Sequence, residues 1–152
     1  VNAKFRKFDK ASRYEICNQT TVPCALGNER FFVTTPFFDA SGGAMPRAPE
    51  FTASLGARYG FDVEGGRVNL SGNFYHTSSL FFDSAQQFRQ KSYSLLGLRA
   101  EWTDASDRFT FAIFGDNVTN TKYLTQVAAH TPGIGAVWGA PATVGGSVRM
   151  KF

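Results

Sequence analysis

No apolar run in this 152-residue sequence approaches the roughly 18 residues that a membrane-spanning helix requires, which excludes a helical membrane protein. Charged residues make up only 18% of the chain, and the net charge of +4 comes from scattered side chains, with a single cluster at Lys4, Arg6, Lys7 and Lys10. That distribution describes solvated strand edges, so no nucleic acid is expected as a partner. Cysteine occurs only at Cys17 and Cys24, and histidine only at His76 and His130. Neither histidine is near the cysteines in sequence, and a metal site needs more ligands close at hand, so no metal is expected. Neither histidine has a local arrangement that would make it a general base. The glycines from Gly133 to Gly139 lack the spacing of a dinucleotide fingerprint and do not join a strand to a helix. The chain is therefore expected not to be an enzyme and to hold no cofactor. No basic stretch followed by an apolar run opens the sequence, so a secretory signal is absent or lies upstream, and the chain reads as a piece of something longer.

Phenylalanine, with 16 residues, and glycine, with 15, are abundant, and the apolar residues fall into alternation. It is clearest over residues 142–152. There Val144, Val148, Met150 and Phe152, with Gly146, share one parity, while Thr143, Ser147, Arg149 and Lys151 share the other. Successive strand side chains point to opposite faces, so this pattern describes a strand with one apolar and one wet face. Residues 51–61 repeat it, with Phe51, Ala53, Leu55, Ala57, Tyr59 and Phe61 against Thr52, Ser54, Gly56, Arg58 and Gly60. A slip of one residue would carry Arg58 to the apolar side, so the register is strongly specified. A turn at 62–66, with glycines available for positive φ, leads into a strand at 67–77 whose apolar side holds Val68, Leu70, Gly72 and Phe74. Residues 91–103 place Leu96, Leu98, Ala100 and Trp102 on that side, although Leu95 breaks the pattern. After a turn at 104–107, residues 108–118 place Phe109, Phe111 and Ile113 there, with Phe114 on the other face.

Between these strands the sequence loses its period. Residues 1–8 have the parity of a strand end. Residues 9–50 contain Pro23, Pro36, Pro46, Pro49 and Ser41-Gly42-Gly43, and predict a long loop with a brief strand within 30–35. Loops of that length in ordered proteins are usually functional. Residues 83–90 and 119–141 are two further loops. Long and short connections thus alternate, placing long loops at one end of a meander and tight turns at the other. Strands of about ten residues, rising roughly 3.3 Å each and tilted by about 45°, span about 24 Å, close to the apolar band of an outer-membrane barrel. The expected fold class is all-β, an antiparallel meander of five to six strands from a transmembrane β-barrel. Five strands cannot close, because the smallest such barrels use eight and an open edge in lipid leaves backbone groups unpaired. The chain is therefore read as the end of a larger barrel. A small self-contained outer-membrane barrel with a structural or adhesive role is the alternative, and a soluble β-sandwich binding module is a third reading.

Three motifs carry a resemblance. Met45-Pro46-Arg47-Ala48-Pro49-Glu50-Phe51 with the strand after it, Phe114-Gly115-Asp116-Asn117-Val118-Thr119-Asn120-Thr121-Lys122-Tyr123, and Gly139-Ala140-Pro141-Ala142-Thr143-Val144-Gly145 resemble, in order and spacing, the C-terminal part of TonB-dependent outer-membrane receptors. The resemblance covers residues 45–152. It implies a 22-stranded barrel plugged by an N-terminal domain. It also implies import of a scarce nutrient such as a ferric siderophore, cobalamin or an oligosaccharide across the outer membrane of a Gram-negative bacterium, driven through the TonB complex. On this reading residues 1–8 are a strand end, 9–50 an extracellular loop and 51–152 the final five strands. The plug and the segment that TonB engages are absent. Outer-membrane lipid is a further partner. The terminal strand also resembles the signal read by the barrel-assembly machinery, with Phe152 as the closing aromatic, Met150 two before it and Val148 on the same face.

Candidate site residues follow from faces and loops. Arg58, Arg67, Arg99, Glu101 and Arg149, with Lys151, share the polar parity and are expected to face the lumen, either as contacts for the plug or an anionic ligand or as a solvated charge network. Candidate ligand contacts are the loop aromatics Phe37, Phe38, Phe88, Tyr123, His130 and Trp138 together with Phe31, Phe32, Phe81 and Phe82, and the polar Gln126 beside them, since exposed aromatic surface often marks recognition; the alternative is that Phe81 and Phe82 extend the aromatic girdle and that Phe37 and Phe38 pack the loop internally. Cys17 and Cys24, in a polar, turn-rich stretch, suit a small disulfide-closed loop in an oxidising compartment, against the alternative of two free thiols.

Overall fold

The structure, a computed structural model, describes residues 3–11, 14–16, 32–34, 38–130 and 133–152. In chain order the strands are β1 (Tyr14–Ile16), β2 (Phe32–Thr34), β3 (Thr52–Val63), β4 (Gly66–Thr77), β5 (Leu80–Phe81), β6 (Arg89–Gln90), β7 (Tyr93–Asp104), β8 (Phe109–Asp116), β9 (Leu124–His130), β10 (Gly133–Trp138) and β11 (Thr143–Met150). No helix occurs among the described residues. The chain divides into two compact units, a sheet unit of residues 52–77, 93–122 and 140–152 and a loop unit of residues 1–51, 78–92 and 123–139.

The sheet unit is one antiparallel sheet in the order β11-β8-β7-β4-β3, the meander that the alternation predicts. Its first turn is tighter than expected, with Glu64 and Gly65 alone between paired Val63 and Gly66. Gly65 takes φ +84, a backbone state that side chains disfavour. At the second turn the Asp104 carboxylate accepts hydrogen bonds from the Phe109 amide at 2.6 Å and the Ser106 amide at 3.2 Å.

Pairing in register aligns like with like across all five strands. One apolar row reads Phe61, Val68, Trp102, Phe111, Val148, and one polar row reads Arg58, Ser71, Arg99, Phe114, Gly145. The two residues that break the alternation find local reasons. Leu95 pairs with Tyr75, whose ring lies 6.3 Å from that of Tyr93, forming a small aromatic patch on the polar face. The Phe114 ring fills the place over Gly145, where a side chain would begin 2.7 Å from the ring.

The apolar face is uncovered. Leu55 is 70% exposed, Ile113 67% and Val144 85%, while the buried hydrophobic residues among those described are only Ala11, Ala40 and Ala112. So much exposed apolar surface on one face of the sheet marks that face as a contact surface.

In the loop unit the brief strand expected within 30–35 appears as β2, paired with β1. Residues 1–8 are read as a strand end; the described residues 3–11 hold two isolated bridges, Lys4 to Ala44 and Ala11 to Phe38. Residues 119–141 correct the sequence reading. They contain the hairpin β9–β10 instead of an irregular loop, with Ala128 opposite Gly135 and Ala129 opposite Ile134. Small residues on both faces give no contrast for alternation to detect. Residues 83–90 likewise end in the short β6, which pairs with β5.

Candidate functional site

On the polar face of the sheet the predicted charges are brought into neighbouring rows and are partly matched among themselves. Arg99 Nη2 donates to Glu101 Oε2 at 2.9 Å, and its guanidinium lies 5.8 Å from the centre of the Phe114 ring. Arg67 Nη1 bonds Asp62 Oδ1 at 3.2 Å. Arg58 shares its row with Arg99, with Ser71 between them, and Arg149 pairs with Thr110. Among the described residues neither Arg58 nor Arg149 has an ion-pair partner. His76 Nδ1 lies 2.9 Å from Ser94 Oγ on the adjacent strand. No group of three or more metal-ligating side chains occurs among the described residues.

The loop aromatics separate by burial. Phe38, Phe81, Phe82, Phe88 and Tyr123 are half-buried. Phe38 exchanges backbone hydrogen bonds with Ala11, the Phe88 amide donates to Asp83 Oδ1 at 2.9 Å, and Arg89 lies over the Phe81 ring. Trp138 is the outward-facing aromatic of the group, 63% exposed, and stands with exposed Ile134 and Val137 on β10. Phe31, Phe37, Cys17 and Cys24, and the side chains of Phe32 and His130, lie outside the described residues. At the turn 39–42 the Ser41 hydroxyl and amide hold the Asp39 carboxyl below the usual carboxylate range.

Three residues that sequence reasoning did not single out fix this arrangement. Asn117, at φ +47 and buried, donates from Nδ2 to the Thr121 carbonyl at 2.9 Å and the Ala140 carbonyl at 3.0 Å, and accepts from the Thr121 amide at 2.9 Å. It closes the neck of the segment that leaves β8 and returns to β11. The signal for it was present, because Asn is the residue after Gly that best tolerates left-handed backbone. Gly139 lies under the Tyr123 ring, where an added methyl group would collide with it. Gln90, 7% exposed, accepts the Leu124 amide at its Oε1. Nothing in the sequence marks a lone glutamine as buried.

The family model described as TonB dependent receptor-like, beta-barrel matches residues 20–118, which include β3, β4, β7 and β8. Among solved structures, the ferric yersiniabactin uptake receptor of Yersinia pestis matches with a TM-score of 0.69 at 21% identity, over 82% of this chain and 19% of its own. The ferric preacinetobactin receptor of Acinetobacter baumannii matches with a TM-score of 0.63 at 27% identity, over 74% of this chain and 16% of its own. The chain thus spans less than a fifth of the length of these receptors. No curated protein sequence matches it.

Proposed function

The chain belongs to the TonB-dependent receptor-like β-barrel family, and from that premise we propose that it is the C-terminal part of an outer-membrane receptor of a Gram-negative bacterium, one that imports a scarce nutrient and is not an enzyme. A ferric siderophore is the favoured class over cobalamin or an oligosaccharide, because both structural neighbours are receptors named for ferric compounds. The observation that carries the reading is the continuous, exposed apolar face within the sheet unit, which suits lipid.

In this reading the polar face with Arg58, Arg67, Arg99, Glu101 and Arg149 turns to the lumen, and the segment 9–50 is extracellular. The sheet supplies the last five strands of the barrel. The edge of β11 that does not pair with β8 meets the barrel's first strand, and Phe152, Met150 and Val148 form the signal for the assembly machinery. Import is driven through TonB by an N-terminal part that these residues do not include. Cys17 and Cys24 form a disulfide, and a count of two reactive thiols in the native protein would reject it.

Uptake by cells carrying the full-length protein tests the whole proposal. Radiolabelled ferric yersiniabactin, ferric preacinetobactin, cobalamin and an oligosaccharide panel are offered with and without functional TonB. TonB-dependent accumulation of a ferric chelate is the expected result. Accumulation of cobalamin or a sugar alone would overturn the substrate class, and a protein that fractionates as soluble would overturn the membrane reading.

A further inference from the structure

Within the loop unit, three chain segments are joined by a few directed hydrogen bonds. The Arg47 amide donates to the Phe81 carbonyl at 2.7 Å, tying the segment before β3 to residues 78–92. Gln90 Oε1 accepts the Leu124 amide at 2.8 Å, tying residues 78–92 to the hairpin β9–β10. Its Nε2 donates to the Lys91 carbonyl at 2.8 Å, so both polar ends of this buried side chain are used. Leu124 is the root of the hairpin, paired with Trp138. A two-stranded hairpin alone is marginal in water, so its pose depends on what holds its root.

The hairpin that Gln90 holds has an unusual composition. Residues 124–138 contain no Asp, Glu, Lys or Arg, and Ile134, Val137 and Trp138 are each more than half exposed.

We propose that Gln90 is a positioning residue that locks the uncharged hairpin β9–β10 onto residues 78–92 and so fixes the pose of exposed Trp138 at the hairpin's root. The lock stands independently of the receptor reading above. A leucine at position 90 keeps the volume but leaves the Leu124 amide without its acceptor. An unmet buried hydrogen bond shifts an opening equilibrium by about 5- to 150-fold.

The test is hydrogen exchange on the full-length protein in detergent micelles, with no ligand added, so it stands apart from any failure of the uptake assay. In Gln90→Leu, exchange over 124–138 is expected to rise by about 5- to 150-fold, with residues 52–77 unchanged. Gln90→Glu, which keeps an acceptor for Leu124 but turns an oxygen toward the one carbonyl of Lys91, is expected to recover part of the protection. The assignment is overturned if 124–138 does not respond, if the sheet responds equally, or if the Glu and Leu variants behave alike.

Discussion

The two units of this chain solve the same problem, satisfying a backbone without a large apolar core, by different means. In the sheet unit the ladder does it, because five strands in strict register leave the side chains free to sort into an apolar face and a polar face. In the loop unit the described strands are short or isolated in pairs, and single side chains such as Gln90 and Ser41 reach backbone groups that no ladder serves. A repeating rule builds the first and individual contacts build the second. Mutations should therefore act by face in the sheet and by position in the loops.

The largest effect expected from this contrast lies in the sheet. Leu55→Arg or Leu98→Arg puts a charge on the apolar face, and in lipid that costs about 2–4 kcal/mol near the midplane. Thr52→Arg or Thr103→Arg places the same charge on the other face and is expected to be tolerated. The folded fraction of the full-length protein, measured by heat-modifiable mobility, should fall sharply for the first pair and little for the second. Equal losses would break the link between face and environment.

That difference also decides what could be read in advance. The order of strands, their register and the sorting of faces follow from period-two alternation in residues 51–118 and 142–152, because a rule repeated over many positions survives a few exceptions such as Leu95 and Phe114. The hairpin β9–β10 was missed because Ala128, Ala129, Gly135 and Ala136 have no contrast to alternate. The contacts of Gln90 and the seat of Tyr123 over Gly139 join residues far apart or depend on ring placement, and no local pattern encodes them.

Asn117 joins one end of the regular sheet to an irregular segment, and its loss should be the next largest effect. Asn117→Ala removes bonds to Thr121 and Ala140 and leaves a side chain at φ +47. An unsatisfied buried group costs about 1–3 kcal/mol. Asn117→Asp keeps the acceptor for the Thr121 amide but turns an oxygen toward two carbonyls, so it should not rescue. The expected readout is faster protease cleavage within 117–142 with an intact sheet, and rescue by Asp would show that only the acceptor matters.

Gly139→Ala probes the loop unit by position. The added methyl must displace the Tyr123 ring, which is half-buried, so about 1–3 kcal/mol is expected, the usual overpacking range. Gly56→Ala on β3 meets nothing within 4 Å and serves as the matched control in the sheet. Hydrogen exchange should rise over 123–139 in the first variant and nowhere in the second. A response at Gly56 as large as at Gly139 would mean that the sheet, too, is sensitive position by position.

The smallest expected effects separate two ion pairs on the polar face. Arg67 and Asp62 have side chains 57% and 79% exposed, whereas Arg99 and Glu101 are 39% and 23% exposed. Exposed pairs contribute about 0–1 kcal/mol, and salt screens them. Arg99 has in addition the face of Phe114 beneath its guanidinium, which adds about 0.5–1 kcal/mol at accessible sites. A double-mutant cycle on the denaturant midpoint of the full-length protein in micelles should give a coupling near zero for Asp62 and Arg67, lost in salt, and a larger one for Arg99 and Glu101. Replacing Phe114 by Leu should lower the cost of Arg99→Ala while leaving the coupling of Arg99 to Glu101 in place. If the exposed pair proves the stronger, burial and ring stacking are not what distinguishes the charges on this face, and the polar rows would need a partner outside the described residues to account for them.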